Sequence, residues 1–419
     1  MIASQQGRSG ASRPPRPLRP LWLTETYPPS RGGMAQSCDR IVHALRSLGV
    51  AVDLVHLERR PVEPRISVRR HGRDFIWPLN GDGAHALRCL WARVEQDAER
   101  QRITHVVAFG GLLPLLAGPA FAAWLPAPLV TLIRGNDLDV GIFQSQRADV
   151  VHRALASSAR VCAVSSDKAR QIAALLPAAP PPAVIPSGID LERWQPQPAD
   201  LDRAAAWRRT IAPGRRILGF FGHVKRKKGG IFLLEALLRS GLAGRFQVRF
   251  VGEFDEEVTA WLAAHGAELA HTVEPFVDRY QLLERYPACD LMVLPSFYDG
   301  APNVMVEAAA LGVPILAART GGMADLLEEG RHAFLFAPGS EEELTQALQR
   351  AATATAPDLA RMGDACRDLA RSRLDHRREA EDYLRVLVEV AARWPGEAGG
   401  EAVSGASPMM ATPGRRSDP

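Results

Sequence analysis

The chain has 419 residues, 46% of them hydrophobic and 23% charged, which suits two folded domains with substantial cores. A formal net charge of +4 is too small for a nucleic-acid binder, which would present a strongly basic face; a local basic cluster meeting a phosphorylated small molecule fits better. The five cysteines (Cys38, Cys89, Cys162, Cys289 and Cys366) are scattered without a C-x-x-C spacing, which argues against a zinc site or disulfide framework and for a reducing, cytoplasmic setting.

In chain order, residues 1–19 are rich in Arg and Pro and have no apolar core, so they read as a disordered arm and not as a secretory signal. A strand is expected over 21–24, then a glycine loop over 28–33. Ile41, Ala44, Leu45 and Leu48 mark a helix that Gly49 ends, and a strand follows over 51–57. Between Val106 and Ile133 no residue is charged, a run long enough to span a bilayer. Pro114, Pro119, Pro126 and Pro128 interrupt it, with Gly110, Gly111 and Gly118. It therefore parses as a buried strand (105–109), a short helix (112–124) and a second buried strand (129–133). A strand over 161–164, a helix over 167–176 and a strand over 183–185 continue the series.

Prolines at 177–182 and 195–198 place an interdomain crossing at about 186–212. A second series then runs as strand 217–221, helix 231–238, strands 247–251 and 291–295, helix 303–311 and strand 314–317. Closing helices are expected over 341–348 and 377–392, and the composition after 396 predicts disorder. The pattern is α/β: two doubly wound Rossmann-like domains facing a central cleft, with ligands at the carboxyl ends of the strands. The boundaries read as 1–19 for the arm, 20–195 and 196–375 for the domains, 376–395 for a closing helix and 396–419 for the tail.

The segment 295–312 carries the strongest chemistry. A hydrophobic strand stops at Pro295, a turn contains Gly300, and Pro302 suits the first position of a helix because its missing N–H is unneeded there. Asp299 lies in the loop and Glu307 in the second helical turn, so both can face one crevice. The free N–H groups of the helix start suit a phosphate or a sugar hydroxyl. An ordinary strand–turn–helix with solvated carboxylates is the plainer reading; against it stands Glu307, set among Ala and Val where an unpaired buried carboxylate is costly.

Gly222-His223-Val224-Lys225-Arg226-Lys227-Lys228-Gly229-Gly230 follows a strand and offers cations that can neutralise a diphosphate. It has neither P-loop nor dinucleotide spacing. A solvated basic loop is the plainer reading for Lys225 and Lys227. Gly32-Gly33 lets the backbone approach a ligand closely. Asp137 and Asp139 form an Asp-x-Asp, whose spacing alone we read as coincidental.

The 295–312 segment resembles the signature of retaining glycosyltransferases of the GT-B fold, in particular glycosyltransferase family 4, in which two glutamates stand with seven residues between them. Here Asp299 takes the first position and Glu307 the second. The resemblance implies that Glu307 holds the ribose hydroxyls of the donor nucleotide, and that Asp299 with the backbone around Gly300, Ala301, Pro302 and Asn303 surrounds the transferred sugar. It implies a diphosphate grip by Lys228. His223 stands where the family has arginine, and Arg226 is the candidate substitute cation. Arg134 stands where the family often has histidine, and pairs with the donor phosphate or an anionic acceptor. Gly32 and Gly33 match the early double-glycine loop, Gly222 opens the cationic loop, and Phe276 matches a loop that reads the base. The first domain would then be the acceptor side and the second the nucleotide-sugar side. The implied activity is hexosyl transfer from a nucleotide-diphosphate sugar, without metal or other cofactor, to a glycan, lipid-linked or small-molecule acceptor, as in polysaccharide biosynthesis. A nucleotide-sugar epimerase or phosphorylase on the same fold, and a binding module without turnover, remain open. Arg13–Arg19 and a helix over 367–378 could touch anionic lipid, a weak peripheral contact at the inner face of the membrane; a solvated face is the competing reading of both.

Overall fold

The computed structural model describes residues 17–394, so the disorder expected for the tail over 396–419 and for most of the arm lies outside the described residues. The first sheet comprises β1 (Pro20–Thr24), β2 (Val52–Glu58), β3 (Arg65–Arg69), β4 (Gly72–Pro78), β5 (His105–Phe109), β6 (Leu129–Ile133), β7 (Arg160–Ala163) and β8 (Ala183–Val184). Its helices are α1 (Gly33–Ser47), α2 (Gly83–Glu95), α3 (Leu112–Trp124), α4 (Asn136–Asp139), α5 (Ser145–Ala156) and α6 (Ser166–Leu175). The strand order is β3-β4-β2-β1-β5-β6-β7-β8, parallel except for the hairpin partner β3.

The chain then forms α7 (Pro198–Arg208) and a second, parallel sheet: β9 (Arg216–Phe221), β10 (Phe246–Val251), β11 (His271–Glu274), β12 (Leu291–Leu294), β13 (Ile315–Ala318) and β14 (Ala333–Phe336). Its order is β11-β10-β9-β12-β13-β14. The helices are α8 (Gly230–Arg239), α9 (Glu256–His265), α10 (Asn303–Leu311), α11 (Gly321–Leu326), α12 (Glu341–Thr353), α13 (Ala356–Arg373) and α14 (His376–Arg393). The architecture is the expected pair of Rossmann-like domains around a cleft.

Central strands β1, β5, β6, β12 and β13 are buried along their whole length, which is why their sequences read as unbroken apolar runs. The charge-free run resolves into β5, α3 and β6 as read. Among the described residues no helix is long and apolar enough to cross a membrane.

Several expectations change. The crossing at 186–212 is not all coil: α7 starts at Pro198 with a capping box between Gln197 and Asp200. The helix expected over 367–378 is two helices, because α13 ends at Arg373 and Asp375 caps α14. Pro302 precedes α10 and is not its first residue.

The closing helix α14 follows the second domain in sequence but completes the core of the first. Its Tyr383, Val386, Leu387 and Val390 pack with Ile41, Val42 and Leu45 of α1 and with Trp22 and Val107 of the sheet. Buried Glu379 on α14 pairs with Arg40 of α1 at 2.9 Å and with Arg134 beyond β6 at 3.4 Å, and accepts the Gly188 amide at 3.0 Å. Burial pushes this carboxyl up, but the two arginines and the amide outweigh it and hold it below its usual range.

Candidate functional site

The carboxyl ends of the two sheets face a cavity of about 450 Å³, within the usual range for small-molecule sites. From the second domain, β9 ends at Gly222 and the basic loop turns back before α8. The Val224 amide donates to Glu253 at 2.7 Å, and the Phe297 amide to Lys227 at 3.0 Å, so the loop is pinned to the exits of β10 and β12. Gly229 closes the turn at φ 72°, where a β-carbon would overlap the Pro295 carbonyl.

This pinning sorts the cations. Lys225, Lys227 and Lys228 line the cavity with His223, whereas Arg226 is exposed and is not among the lining residues. Arg226 as substitute cation, and Lys225 and Lys227 as plain solvated side chains, are both corrected by the phase of the 3-10 turn over Arg226–Lys228. Lys228 forms an ion pair with Asp299. The Lys227 ammonium lies 5.1 Å from the Tyr298 ring centre. Burial draws the Lys227 pKa down, Asp299 opposes that, and Lys228 and Lys225 reinforce it. His223 Nε2 sits 2.6 Å from Asp255 Oδ1.

The 295–302 loop leads from β12 to α10, and Asp299, Gly300, Ala301, Pro302 and Asn303 all line the cavity. The Gly300 carbonyl accepts the Gly322 amide at the start of α11, and a β-carbon on Gly300 would stand 2.5 Å from the Arg134 carbonyl. The loop is thus wedged between α11 and the first domain. Glu307 in the second turn of α10 is buried, and its Oε2 accepts the Tyr286 hydroxyl at 2.6 Å. Burial raises this carboxyl, with the Tyr286 hydrogen bond opposing. Its main-chain carbonyl accepts the Trp194 indole N–H at 3.1 Å. The buried Ser296 hydroxyl lines the cavity without a partner among the described residues.

The first domain supplies Gly32, Gly33, Gln36 and Ser37 at the start of α1. Gly32, at φ 108°, precedes the helix with no side-chain cap, so first-turn N–H groups face the cavity end of the helix dipole. Asn303 Nδ2 reaches the Gly33 carbonyl at 3.3 Å and Gln36 at 3.4 Å. Phe276 lines the cavity after β11, with the Arg31 guanidinium 4.9 Å from its ring centre. The Ser166 amide at the start of α6 donates to Asp325 of α11 at 2.7 Å. These contacts across the cleft describe a closed pair of domains.

Arg134 has a different occupation from the one its position suggested. It borders the cavity, but its buried guanidinium is spent on Glu379, the Tyr383 hydroxyl (3.0 Å) and Ser187 (2.8 Å). Those partners hold it to α14, so it braces the wall and is not poised for a phosphate. Asp137 accepts the Gly111 and Arg134 amides, and Asp139 pairs with Lys168, so each carboxylate of the Asp-x-Asp has protein partners. Among the described residues no group of three or more His, Cys, Asp or Glu is placed to hold a metal.

Tyr286 was not signalled by sequence. Tyr286 sits in a 3-10 turn with no motif around it, and only a buried tyrosine near a buried glutamate could have hinted at the pair.

Residues 31–193 match the family described as Glycosyltransferase Family 4, and residues 215–354 match Glycosyl transferases group 1. The chain is 33% identical over 332 residues to the D-inositol 3-phosphate glycosyltransferase of Geodermatophilus obscurus, covering 71% of this chain and 73% of that one. Among solved structures, sucrose-phosphate synthase from Thermosynechococcus elongatus superposes with a TM-score of 0.75 at 18% identity, covering 90% of this chain and 99% of that one. HepE of Anabaena, in complex with UDP and glucose, gives 0.71 at 18% identity, covering 89% and 100%.

Proposed function

The chain belongs to the group 1 glycosyltransferases of the GT-B fold, and from that premise we propose that it moves a sugar from a nucleotide-diphosphate donor to an acceptor with retention at the anomeric carbon and without a metal. The observation that carries this is the meeting, in one cavity, of the Lys228–Asp299 pair, the start of α10 and the buried Glu307.

In this reading the leaving diphosphate lies against Lys228, with Lys225 and Lys227 beside it. Charge developing there is stabilised by ammonium groups and helix N–H groups already in place, in a cleft that excludes water. Glu307, oriented by Tyr286, takes the ribose hydroxyls. Phe276, half-exposed after β11, offers a face for the base. Asp299 and the amides of Gly300, Ala301 and Asn303 hold the sugar, with Gly32 and Gly33 close to the phosphates. The UDP bound by HepE supports a nucleotide diphosphate as the leaving group. The name of one relative points to D-inositol 3-phosphate as that protein's acceptor. The acceptor here is a glycan, a lipid-linked sugar or a small molecule, met from the first domain.

Thermal stabilisation by a panel of nucleotide sugars tests the donor site, since a ligand at 100 times its Kd adds roughly 2.7 kcal/mol. Glu307→Gln and Lys228→Ala should each lower transfer by about two orders of magnitude or more with the fold intact. NMR of the first product formed tests retention. Full turnover in either variant refutes the residue roles, and an inverted product refutes the stereochemistry.

A further inference from the structure

Ser296 follows directly on Pro295 at the exit of β12 and is only 1% exposed, yet it lines the cavity. Its hydroxyl finds no hydrogen-bond partner among the described residues. Buried hydroxyls are almost always paired, because one left without a partner gives up its hydration and gains nothing in return. A polar group of this kind in a cavity wall calls for a partner that arrives with the ligand.

Two contacts fix where Ser296 stands. Gly229, which closes the basic loop, packs so closely on Pro295 that a β-carbon there would overlap the Pro295 carbonyl oxygen. On the other side of Ser296, the Phe297 amide donates to the Lys227 carbonyl at 3.0 Å. The residue is therefore held beside the backbone of 227–229, before the chain reaches Asp299 and the start of α10. Serine turns about a single heavy-atom torsion, and its staggered positions redirect Oγ between the wall and the cavity. Phosphate oxygens are acceptors, so a diphosphate in this place needs donors. Lysines supply donors together with charge, and here they already crowd one another: burial draws the Lys227 pKa down, and Lys228 and Lys225 add to that. A hydroxyl adds a donor without adding to the repulsion.

We propose that the Ser296 hydroxyl donates a hydrogen bond to a phosphate oxygen of the donor's diphosphate, as an uncharged partner to Lys228. This rests on the reading of the cavity as a nucleotide-sugar site. The role has a thermodynamic signature that a packing role lacks. The hydroxyl is unsatisfied in the chain alone and satisfied by the diphosphate. Its loss should therefore cost the fold nothing and cost binding a great deal.

The test is Ser296→Ala in the full chain, followed by thermal unfolding and by calorimetric titration with UDP, GDP, ADP and CDP. Without nucleotide the variant should melt at or above the temperature of wild type. For the nucleotide that stabilises wild type, the Kd should rise about tenfold or more, the usual loss for a hydrogen bond to a charged group. Ser296→Cys, which keeps the volume but offers only a weak S–H donor, should give a Kd between the two. A Ser296→Ala protein that melts several degrees lower without nucleotide, yet binds within threefold of wild type, assigns the residue to packing and overturns the proposal. An unchanged Kd and an unchanged melting temperature, with wild type clearly stabilised, overturn it as well and leave the donor site standing. If none of the four nucleotides binds wild type, the nucleotide-sugar reading itself falls, and the role of Ser296 falls with it.

Discussion

Removing the Glu379 carboxylate should release the closing helix from the first domain. In Glu379→Ala, Arg40 and Arg134 lose a shared partner while their side chains stay nearly inaccessible to water, at 9% and 4% exposure. Breaking a buried ion pair from one side costs about 3–5 kcal/mol, because a charge remains without compensation. Arg134 keeps Tyr383 and Ser187, which lowers that figure, but the Gly188 amide also loses its acceptor, which restores about 1–3 kcal/mol. The expected local cost is therefore about 3–5 kcal/mol, or roughly two to four orders of magnitude in the opening equilibrium of α14. Two-domain chains need not unfold in one step, so hydrogen exchange at the amides of 380–390 is the suitable assay. Arg378→Ala, an exposed change on the same helix, serves as the control. A double-mutant cycle with Arg40→Ala should give a coupling well above the scatter of about 0.5 kcal/mol for independent sites. Exchange accelerated less than about tenfold, with no coupling to Arg40, would refute the view that this pair fastens α14.

Tyr286→Phe removes the hydrogen bond that opposes the raised pKa of Glu307, so the carboxyl should rise further and the acid limb of the kcat/KM profile should move to higher pH. An unmoved limb would separate Glu307 from the titrating step. His105 is buried with its pKa lowered by desolvation to about 4. A depressed histidine binds its proton more readily in the unfolded chain, so its contribution is complete above about pH 6.5 and falls by about 3 kcal/mol as pH drops toward 4. Urea midpoints for His105→Asn should flatten that slope, and an unchanged slope would assign it elsewhere. Gly300→Ala places a β-carbon 2.5 Å from the Arg134 carbonyl and 2.9 Å from Val164, which should open the cleft and lower turnover about a hundredfold. Transfer within twofold of wild type, with unchanged small-angle scattering, would show the wedge to be dispensable.

The central sheets were legible because their strands are apolar on both faces and prolines punctuate them, as between 105 and 133. The β3–β4 hairpin was not. β3 is an edge strand, exposed at four of its five residues, and its arginines resemble those of a loop. Only the last turns of the polar helix α13 were expected, within 367–378, and the short β14 escaped, for related reasons of weak periodicity and length. At the site, the local signals held: a glycine turn, a carboxylate and a helix start announce themselves within a few residues. What lay hidden was phase and distance. The order of Lys225, Arg226, Lys227 and Lys228 does not say which of them face inward until the 3-10 turn fixes it. Arg134 finds Glu379 245 residues away, and no local pattern carries that pairing.

The charges of the cavity balance one another within the protein. Lys228 and Asp299 neutralise each other across the loop ends, so neither is a bare charge in a partly dry cleft. Lys227 is pressed toward its neutral form by burial and by the neighbouring ammonium groups. In the proposed reading a diphosphate beside these lysines would reverse the balance: it would offer Lys228 a second partner, favour the charged form of Lys227, and free Asp299 for hydroxyl groups. The loop that carries Asp299 cannot follow a ligand far, since α11 supports it on one side and the Arg134 carbonyl on the other. With the shorter reach of an aspartate on so fixed a support, the sugar must come to the carboxylate. The proposed function would thereby tie donor selection to how closely the two domains shut on the 299–303 segment.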